Sequence, residues 1–386
     1  MISRSEFLLD ESVVFLNHGS FGACPTVLQN IQQSWLRTLE TEPVAYYHAL
    51  PGRMQDARTH LASFVDASPK DVVYVTNSTY GANIMAFTMA RYLKSGDAVL
   101  IPNHEYGACA RAWQMHLEGT GIEIQTCDIP MPIPNQNALA DIILQSVSGN
   151  TKAIFISHVT SPTACRMPIE ELASRAKKAG ILMLVDGAHA LGHFPVSLRT
   201  LDVDMYTGNC HKWMCAPKGS ALFWVKHELQ PHVLPVVRSW GVQGLSVGDG
   251  EFVDEHEYTG TRDASAFLTT PDTIRWLNDK DWWTVKSKAH ELVQYGMQKL
   301  LQIDGVVAMA ADWKEQNLLM GAVLLPDWIN GPDLQRQLLN DYHIQVVCMQ
   351  WLDKPLLRFS VHGYTTSTEI DVLVNALQTI VSAAKP

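Results

Sequence analysis

Long apolar runs are missing from this sequence. No stretch approaches the ~20 consecutive apolar residues needed to span a bilayer. Met1–Asp10 has no basic segment followed by an apolar core. A membrane span and a secretory leader are therefore not expected, and the expected location is the cytoplasm. Basic clusters are missing too. With 29 Lys and Arg against 39 Asp and Glu, the formal net charge is -10. Nucleic acid and anionic membrane are accordingly not expected as partners. Cysteine is sparse and unpatterned: Cys24, Cys109, Cys127, Cys165, Cys210, Cys215 and Cys348 make an odd count of 7 with no CxxC spacing. That argues against a disulfide framework and a structural metal site, and fits a reducing compartment. Low-complexity tracts and short internal repeats are absent.

The remaining sequence is ordinary globular material, 386 residues with 47% hydrophobic and 18% charged. That length suits one large and one small domain. Short β-branched apolar runs alternate with helical patterns. Val72–Val75, Ala98–Ile101, Ala153–Ile156 and Ile181–Val185 read as strands apolar on both faces, as in a parallel sheet covered by helices. Ile169–Lys178 reads as a helix stopped by Gly180. The alternation predicts an α/β fold with a mainly parallel sheet. After about residue 250 the pattern changes to polar turns, a helix around Trp282–Ile303, strands at Gly321–Leu325, His343–Cys348 and Leu356–Val361, and a terminal helix from Thr368. We read residues 15–250 as a large α/β domain and 251–386 as a small α+β domain, with residues 1–14 packing on the latter.

In parallel sheets ligands gather at the carboxyl ends of strands, and several reactive residues follow such ends. Asp186 directly follows the apolar Leu184-Val185. Lys212 lies 26 residues later in Asn209-Cys210-His211-Lys212-Trp213. An acid and a lysine so placed suit pyridoxal phosphate: the lysine forms a Schiff base and the acid keeps the pyridine nitrogen protonated. Each also has a plainer reading, Lys212 as a surface lysine and Asp186 as a helix cap. Asn77-Ser78-Thr79 opens a helix after Val75. Its free N–H groups and hydroxyls suit an anion, or simple capping. His104 follows Ile101-Pro102-Asn103 and is either a ring-stacking imidazole or structural. Arg358 inside Leu356–Ser360 needs an acidic partner, a ligand carboxylate or an internal one.

Taken in order these pieces form a set. With Leu16-Asn17-His18-Gly19-Ser20-Phe21-Gly22, Asn209–Gly219 and Thr259-Gly260-Thr261-Arg262-Asp263, the chain resembles the class V aminotransferase family of fold-type I pyridoxal-phosphate enzymes, nearest its isopenicillin N epimerase-like branch. The resemblance runs from about Phe15 to the C-terminus. It implies a seven-stranded-type sheet in the large domain. It implies that Lys212 carries the cofactor and moves protons at the substrate α-carbon, and that Asp186 pairs with the pyridine nitrogen. It also implies that His104 stacks on the ring and that Ser78, Thr79 and His211 meet the phosphate. Asn209 stands where many relatives have serine. His189 and Ser161 match positions near the phenolic oxygen where relatives often carry Gln and Asn. Thr261 resembles a threonine lent to the neighbouring subunit's phosphate, which implies a homodimer. Arg358 resembles the arginine that grips the substrate carboxylate.

The resemblance leaves three reactions open: epimerisation at an amino-acid α-carbon, β-elimination that breaks a C–S bond in a cysteine derivative, and transamination. Epimerisation needs a second proton-transfer group, for which Tyr46, Tyr47 and His18 are candidates. Cysteine desulfurase chemistry is disfavoured because Gln350–Pro355 has no cysteine and Cys348 reads as a small buried hydrophobe. A catalytically silent member that only binds a partner is a further alternative, opposed by the joint presence of Lys212, Asp186 and Arg358.

Overall fold

A computed structural model describes residues 1–242 and 250–386. Thirteen strands are present among these residues: β1 Val14–Phe15, β2 Val72–Val75, β3 Ala98–Pro102, β4 Glu123–Cys127, β5 Thr151–Ser157, β6 Leu182–Asp186, β7 Met205–Asn209, β8 Ala221–Val225, β9 Val307–Ala308, β10 Met320–Leu324, β11 Ile344–Gln345, β12 Val347–Trp351 and β13 Lys354–Ser360.

Seven of them form the main sheet, in the order β2-β8-β7-β6-β5-β3-β4. Neighbours from β7 to β4 are parallel, and β8 runs antiparallel to both β7 and β2. All four residues of β2 and all five of β3, β7 and β8 are buried, so the double-sided apolar pattern is that of an interior sheet. The helices that cover it are amphipathic. In Ile169–Lys178, Ile169, Leu172, Ala173 and Ala176 face inward at three- and four-residue spacing. Glu170 and Glu171 sit at its positive end, and Arg175, Lys177 and Lys178 at its negative end. Helix Ser78–Tyr92 starts under the Asn77 side chain, which accepts from Tyr80 N–H. Gly81 brings this helix hard against β7: a Cβ there would lie 2.3 Å from Thr207 Oγ1. That contact sets the helix N-terminus beside the end of β7.

The C-terminal unit is a four-stranded antiparallel sheet, β12-β13-β10-β9, with helices Trp282–Leu300, Gly331–Tyr342 and Ser367–Ala383. The first residues belong with it. Ile2 N–H donates to Gly363 O at 2.8 Å, Arg4 pairs with Glu369 at 2.8 Å, and β1 lies parallel to β11. Past residue 250 the chain still packs on the main layer. Helix Glu251–Glu257 packs on β2, and Ser265–Leu268 and Thr270–Asp279 pack on the long helices Thr26–Thr41 and Pro43–Phe64. Glu257 accepts from Tyr74 N–H within β2 and pairs with buried Arg58. The polar composition around 251–263 suggested a boundary, but buried Phe252, Val253, Phe267 and Leu268 cover the main layer. The C-terminal unit begins at helix Trp282–Leu300. Among the described residues no helix is long and apolar enough to cross a membrane.

Candidate active site

The carboxyl ends of β2, β3, β5, β6 and β7 open on one cavity of about 220 Å³. Its wall includes Ser78, Thr79, Ser161, Asp186, His189, Asn209, His211 and Lys212. Residues separated by up to 134 positions are thus gathered by strand order. Asp186 ends β6 in register with Thr207 of β7, and Lys212 follows three residues after β7 ends.

Lys212 is half-buried, its amine enclosed and 2.9 Å from His189 Nε2. Burial pushes the amine down to about 7, the Arg358 guanidinium pushes it further, and Asp186 pulls the other way. The amine and His189 Nε2 share one hydrogen bond, its direction set by the imidazole tautomer, and the other ring nitrogen is Nδ1. Among the described residues that Nδ1 is buried and has no partner. Burial likewise pushes the Asp186 carboxyl up, against its bond from Ala188 N–H at 2.9 Å and the charge of Lys212. Cys109 Sγ approaches its other oxygen at 3.5 Å.

At the helix N-terminus, Ser78 N–H donates to Asn209 Oδ1 at 2.9 Å. That bond fixes the amide orientation and leaves the Asn209 NH₂ as a donor. The Ser78 hydroxyl is buried and unpartnered among the described residues. His211 Nδ1 donates to Ser220 O at 3.3 Å, and burial lowers its ring to about 4. The positive end of this 15-residue helix, the buried Ser78 hydroxyl and the Asn209 amide form an anion cradle, with Ser78 N–H and Tyr80 N–H already held by Asn209 and Asn77.

Arg358 lies on the central strand β13, between β10 and β12. It is fully buried and among the described residues forms no ion pair, so the internal-partner reading is set aside. Its Nη1 donates to Ser161 O and Oγ, and its Nη2 to Ser20 Oγ at 2.8 Å and Asn17 Oδ1 at 3.2 Å. Its Nε is buried without a partner. Burial alone brings the group down to about 10. A buried cation held by neutral oxygens lacks a counter-charge, and a carboxylate fits its fork.

Three expected site residues are not on the cavity wall: Arg358 stands behind it, bonded to Ser161 and Ser20, and His104 and Thr261 lie elsewhere. His104 does not line the cavity. It is buried, with Nδ1 3.1 Å from Thr163 Oγ1 and Nε2 3.3 Å from Ile129 O. Tyr106, two residues on and 46% exposed, lines the cavity instead. The reason is the intervening Glu105, whose carboxylate is held by Ser157 N–H and Oγ–H at the end of β5. That anchor turns the loop so that His104 goes inward and Tyr106 reaches the opening. Thr261 is exposed, and its neighbours Gly260 and Arg262 line a separate cavity of about 200 Å³ with Tyr47 and Met54. Reasoning from sequence also missed Ser20, Phe21 and Ser157 on the cavity wall. The Leu16–Gly22 motif carried the signal for the first two.

A model of the aminotransferase class-V family matches residues 13–373. The chain belongs to the class-V aminotransferase family. Among its class-V relatives, isopenicillin N epimerase of Amycolatopsis lactamdurans is 27% identical over 386 residues, covering 97% of each chain. L-cysteine desulfhydrase of Arabidopsis thaliana is 27% identical over 292 residues, 71% of this chain and 63% of that one. The solved cystine C–S lyase C-DES, in complex with cysteine persulfide, superposes with a TM-score of 0.80 at 19% identity, over 95% and 98% of the two chains. The fold is thus that of the pyridoxal-phosphate-dependent transferases, and this class-V protein is a pyridoxal-phosphate enzyme. The cavity fits that cofactor. Unpartnered Ser78 Oγ and His189 Nδ1, the helix N-terminus and the buried Asp186 supply the donors and the acid that a phosphorylated pyridine needs.

Proposed function

We propose that this enzyme epimerises the α-carbon of an amino acid whose carboxylate is held by Arg358, with Lys212 as the proton-accepting base. Ser78, Thr79, Asn209 and His211 hold the cofactor phosphate, Asp186 its ring nitrogen, and His189 and Ser161 the phenolic side. Bound pyridoxal phosphate draws electrons away from the α-carbon and so acidifies its hydrogen. The observation that carries the reading is Lys212 on the cavity wall together with buried Arg358, which is bonded to the wall residues Ser161 and Ser20. Lys212 is brought to about 7, where its free amine accepts a proton near neutral pH. Arg358 has no acid of its own. Tyr106 supplies the second proton-transfer group that inversion requires. Its phenol lines the same cavity as Lys212, and full-length likeness to an epimerase supports the assignment. Exposed Thr261 acts on the cavity of a second copy, which makes the working unit a homodimer.

β-Elimination from a cysteine derivative is the second reading, favoured by the likeness to a cysteine desulfhydrase. It uses the same Lys212 and Arg358 and does not need Tyr106. Desulfurase-type chemistry is the less favoured reading despite likeness to a probable cysteine desulfurase, because Cys348 is buried on β12 and burial pushes its thiol far up. The test is incubation with D- and L-amino acids and cysteine conjugates in deuterated water. Inversion with deuterium at the α-carbon supports epimerisation. Pyruvate and ammonia support elimination, and consumption of a keto acid supports transamination. No turnover of any kind across the panel sinks all three.

A further inference from the structure

The segment from Leu16 to Gly22 runs between Lys212 and Arg358 and touches both. Leu16 O accepts from Ser360 N–H at 2.8 Å and Gly19 N–H donates to Ser360 Oγ at 2.9 Å, which tie the segment to β13 two residues beyond Arg358. Ser20 Oγ donates to Asn17 Oδ1 at 2.6 Å, and both oxygens accept from Arg358 Nη2. On the other side His18 Nε2 lies 3.0 Å from the Lys212 carbonyl and Nδ1 lies 2.8 Å from Tyr364 Oη. A carbonyl only accepts, so Nε2 carries the proton and Nδ1 accepts from the tyrosine. Gly22 closes the segment with φ +69, and a Cβ there would lie 2.0 Å from His211 O. Lys218 Nζ donates to Gly22 O at 3.2 Å.

His18, Cys215 and His362 offer three buried ligand atoms within 4.8 Å of one another. The geometry does not make them a metal site. The His18 nitrogen nearest the thiol is the one protonated toward Lys212 O. The two imidazoles stack at 4.1 Å and 19°, so their ring-plane lone pairs do not converge on one point. Cys215 Sγ lies 3.3 Å from His362 Nε2 as a hydrogen-bonded thiol. The cluster is a neutral packing of rings behind the lysine, consistent with burial lowering His18 to about 3.

We propose that Asn17–Gly22 is the gauge that sets the span between Lys212 and Arg358. His18 is the positioning residue for the lysine, and Asn17 with Ser20 positions the guanidinium. This rests on the reading of Lys212 as cofactor-bearing base and Arg358 as carboxylate grip. Because one short segment holds both, the site accepts substrates in which the reacting carbon directly bears the carboxylate, and rejects those that carry it one carbon further away.

The experiment uses the full chain as wild type, His18→Ala, His18→Gln and Ser20→Ala, with thermal melting followed for each. Two quantities are read. One is the rate at which the yellow absorbance of lysine-bound cofactor grows when pyridoxal phosphate is added to cofactor-free protein. The other is half-saturation of the spectral change by 2-methylalanine, which has the amine and carboxylate but no α-hydrogen. His18→Ala should slow growth of the absorbance about tenfold, the equivalent of one hydrogen bond, with half-saturation unchanged. His18→Gln, whose amide N–H can reach the same carbonyl, should recover most of the rate. Ser20→Ala should raise half-saturation about tenfold and leave the rate unchanged. 3-Aminopropanoate should not saturate wild type. Both quantities moving together in every variant, or neither moving, overturns the proposal, as does one equivalent of tightly held zinc in the purified protein. If His18→Ala does not fold, Ser20→Ala and His18→Gln still decide. A wild-type protein that never develops the absorbance refutes the reading of Lys212 itself, a distinct result.

Discussion

The titration of Lys212 exposes the site to a direct test. Its amine stands at about 7 against an ordinary lysine value of 10.5, chiefly through burial and then through Arg358. The difference is worth on the order of 5 kcal/mol between the two protonation states. At pH 7 the free amine is then more abundant than in an ordinary lysine by on the order of a thousandfold. The assay mixes cofactor-free protein with pyridoxal phosphate from about pH 5.5 to pH 9, beside a short lysine peptide, and follows the absorbance of lysine-bound cofactor. The peptide rate should climb about tenfold per pH unit across the range, while the protein rate should bend near pH 7 and level off. Lys212→Ala should show no growth at all. The same shift has a stability consequence. A lysine lowered on folding carries its full burial cost below about pH 7, where both states are protonated. Between about 7 and 10.5 the native state has lost the proton and the unfolded chain has not, so stability rises with pH. A protein rate that climbs without a bend all the way to about pH 9 would mean that solvent reaches the amine and that the burial argument is wrong.

Arg358→Gln should lower kcat/KM for amino acids by about a hundredfold, the loss of a charge-assisted pair, and a steady-state assay that finds less than a threefold change would remove it as the carboxylate grip. Tyr106→Phe should abolish inversion while α-deuterium exchange with retention persists, checked by chiral chromatography and mass spectrometry; unchanged inversion would assign the second proton to another group. Gly22→Ala places a Cβ 2.0 Å from His211 O at φ +69; it should cost about 3 kcal/mol or more in a denaturant titration, beyond ordinary left-handed strain. Thr261→Ala should weaken pyridoxal phosphate binding about tenfold in a protein that sediments as a dimer, and a monomer with full affinity would refute its action across subunits.

What could be read from the chain and what could not divides along physical lines. The interior strands were legible because a parallel sheet buries both faces, and β2, β3, β5 and β6 are apolar throughout the stretches that signalled them. The helix Ile169–Lys178 was legible because its apolar spacing and its terminal charges agree. That helix Glu251–Glu257 packs on β2 was not legible, because polar turns and amphipathic covering helices share a composition and only packing tells them apart.

At the site, Lys212, Asp186, Ser78 and Asn209 were accessible from sequence because strand ends in such a sheet converge on one edge whatever the loops do. His104 was misplaced for a local reason. One residue, Glu105, separates it from Tyr106, and which of the two enters the cavity depends on where Glu105 finds donors, on a strand 52 positions away. The hold of His18 on the Lys212 carbonyl spans 194 positions and that of Ser20 on Arg358 spans 338. The sequence by itself determined the sheet, the cofactor chemistry and the order of the reactive groups, because these follow from local pattern and a recurring motif. Only the tertiary structure decided which side chains face the cavity and what holds them apart, because loop paths are set by hydrogen bonds to distant segments that leave no periodic trace.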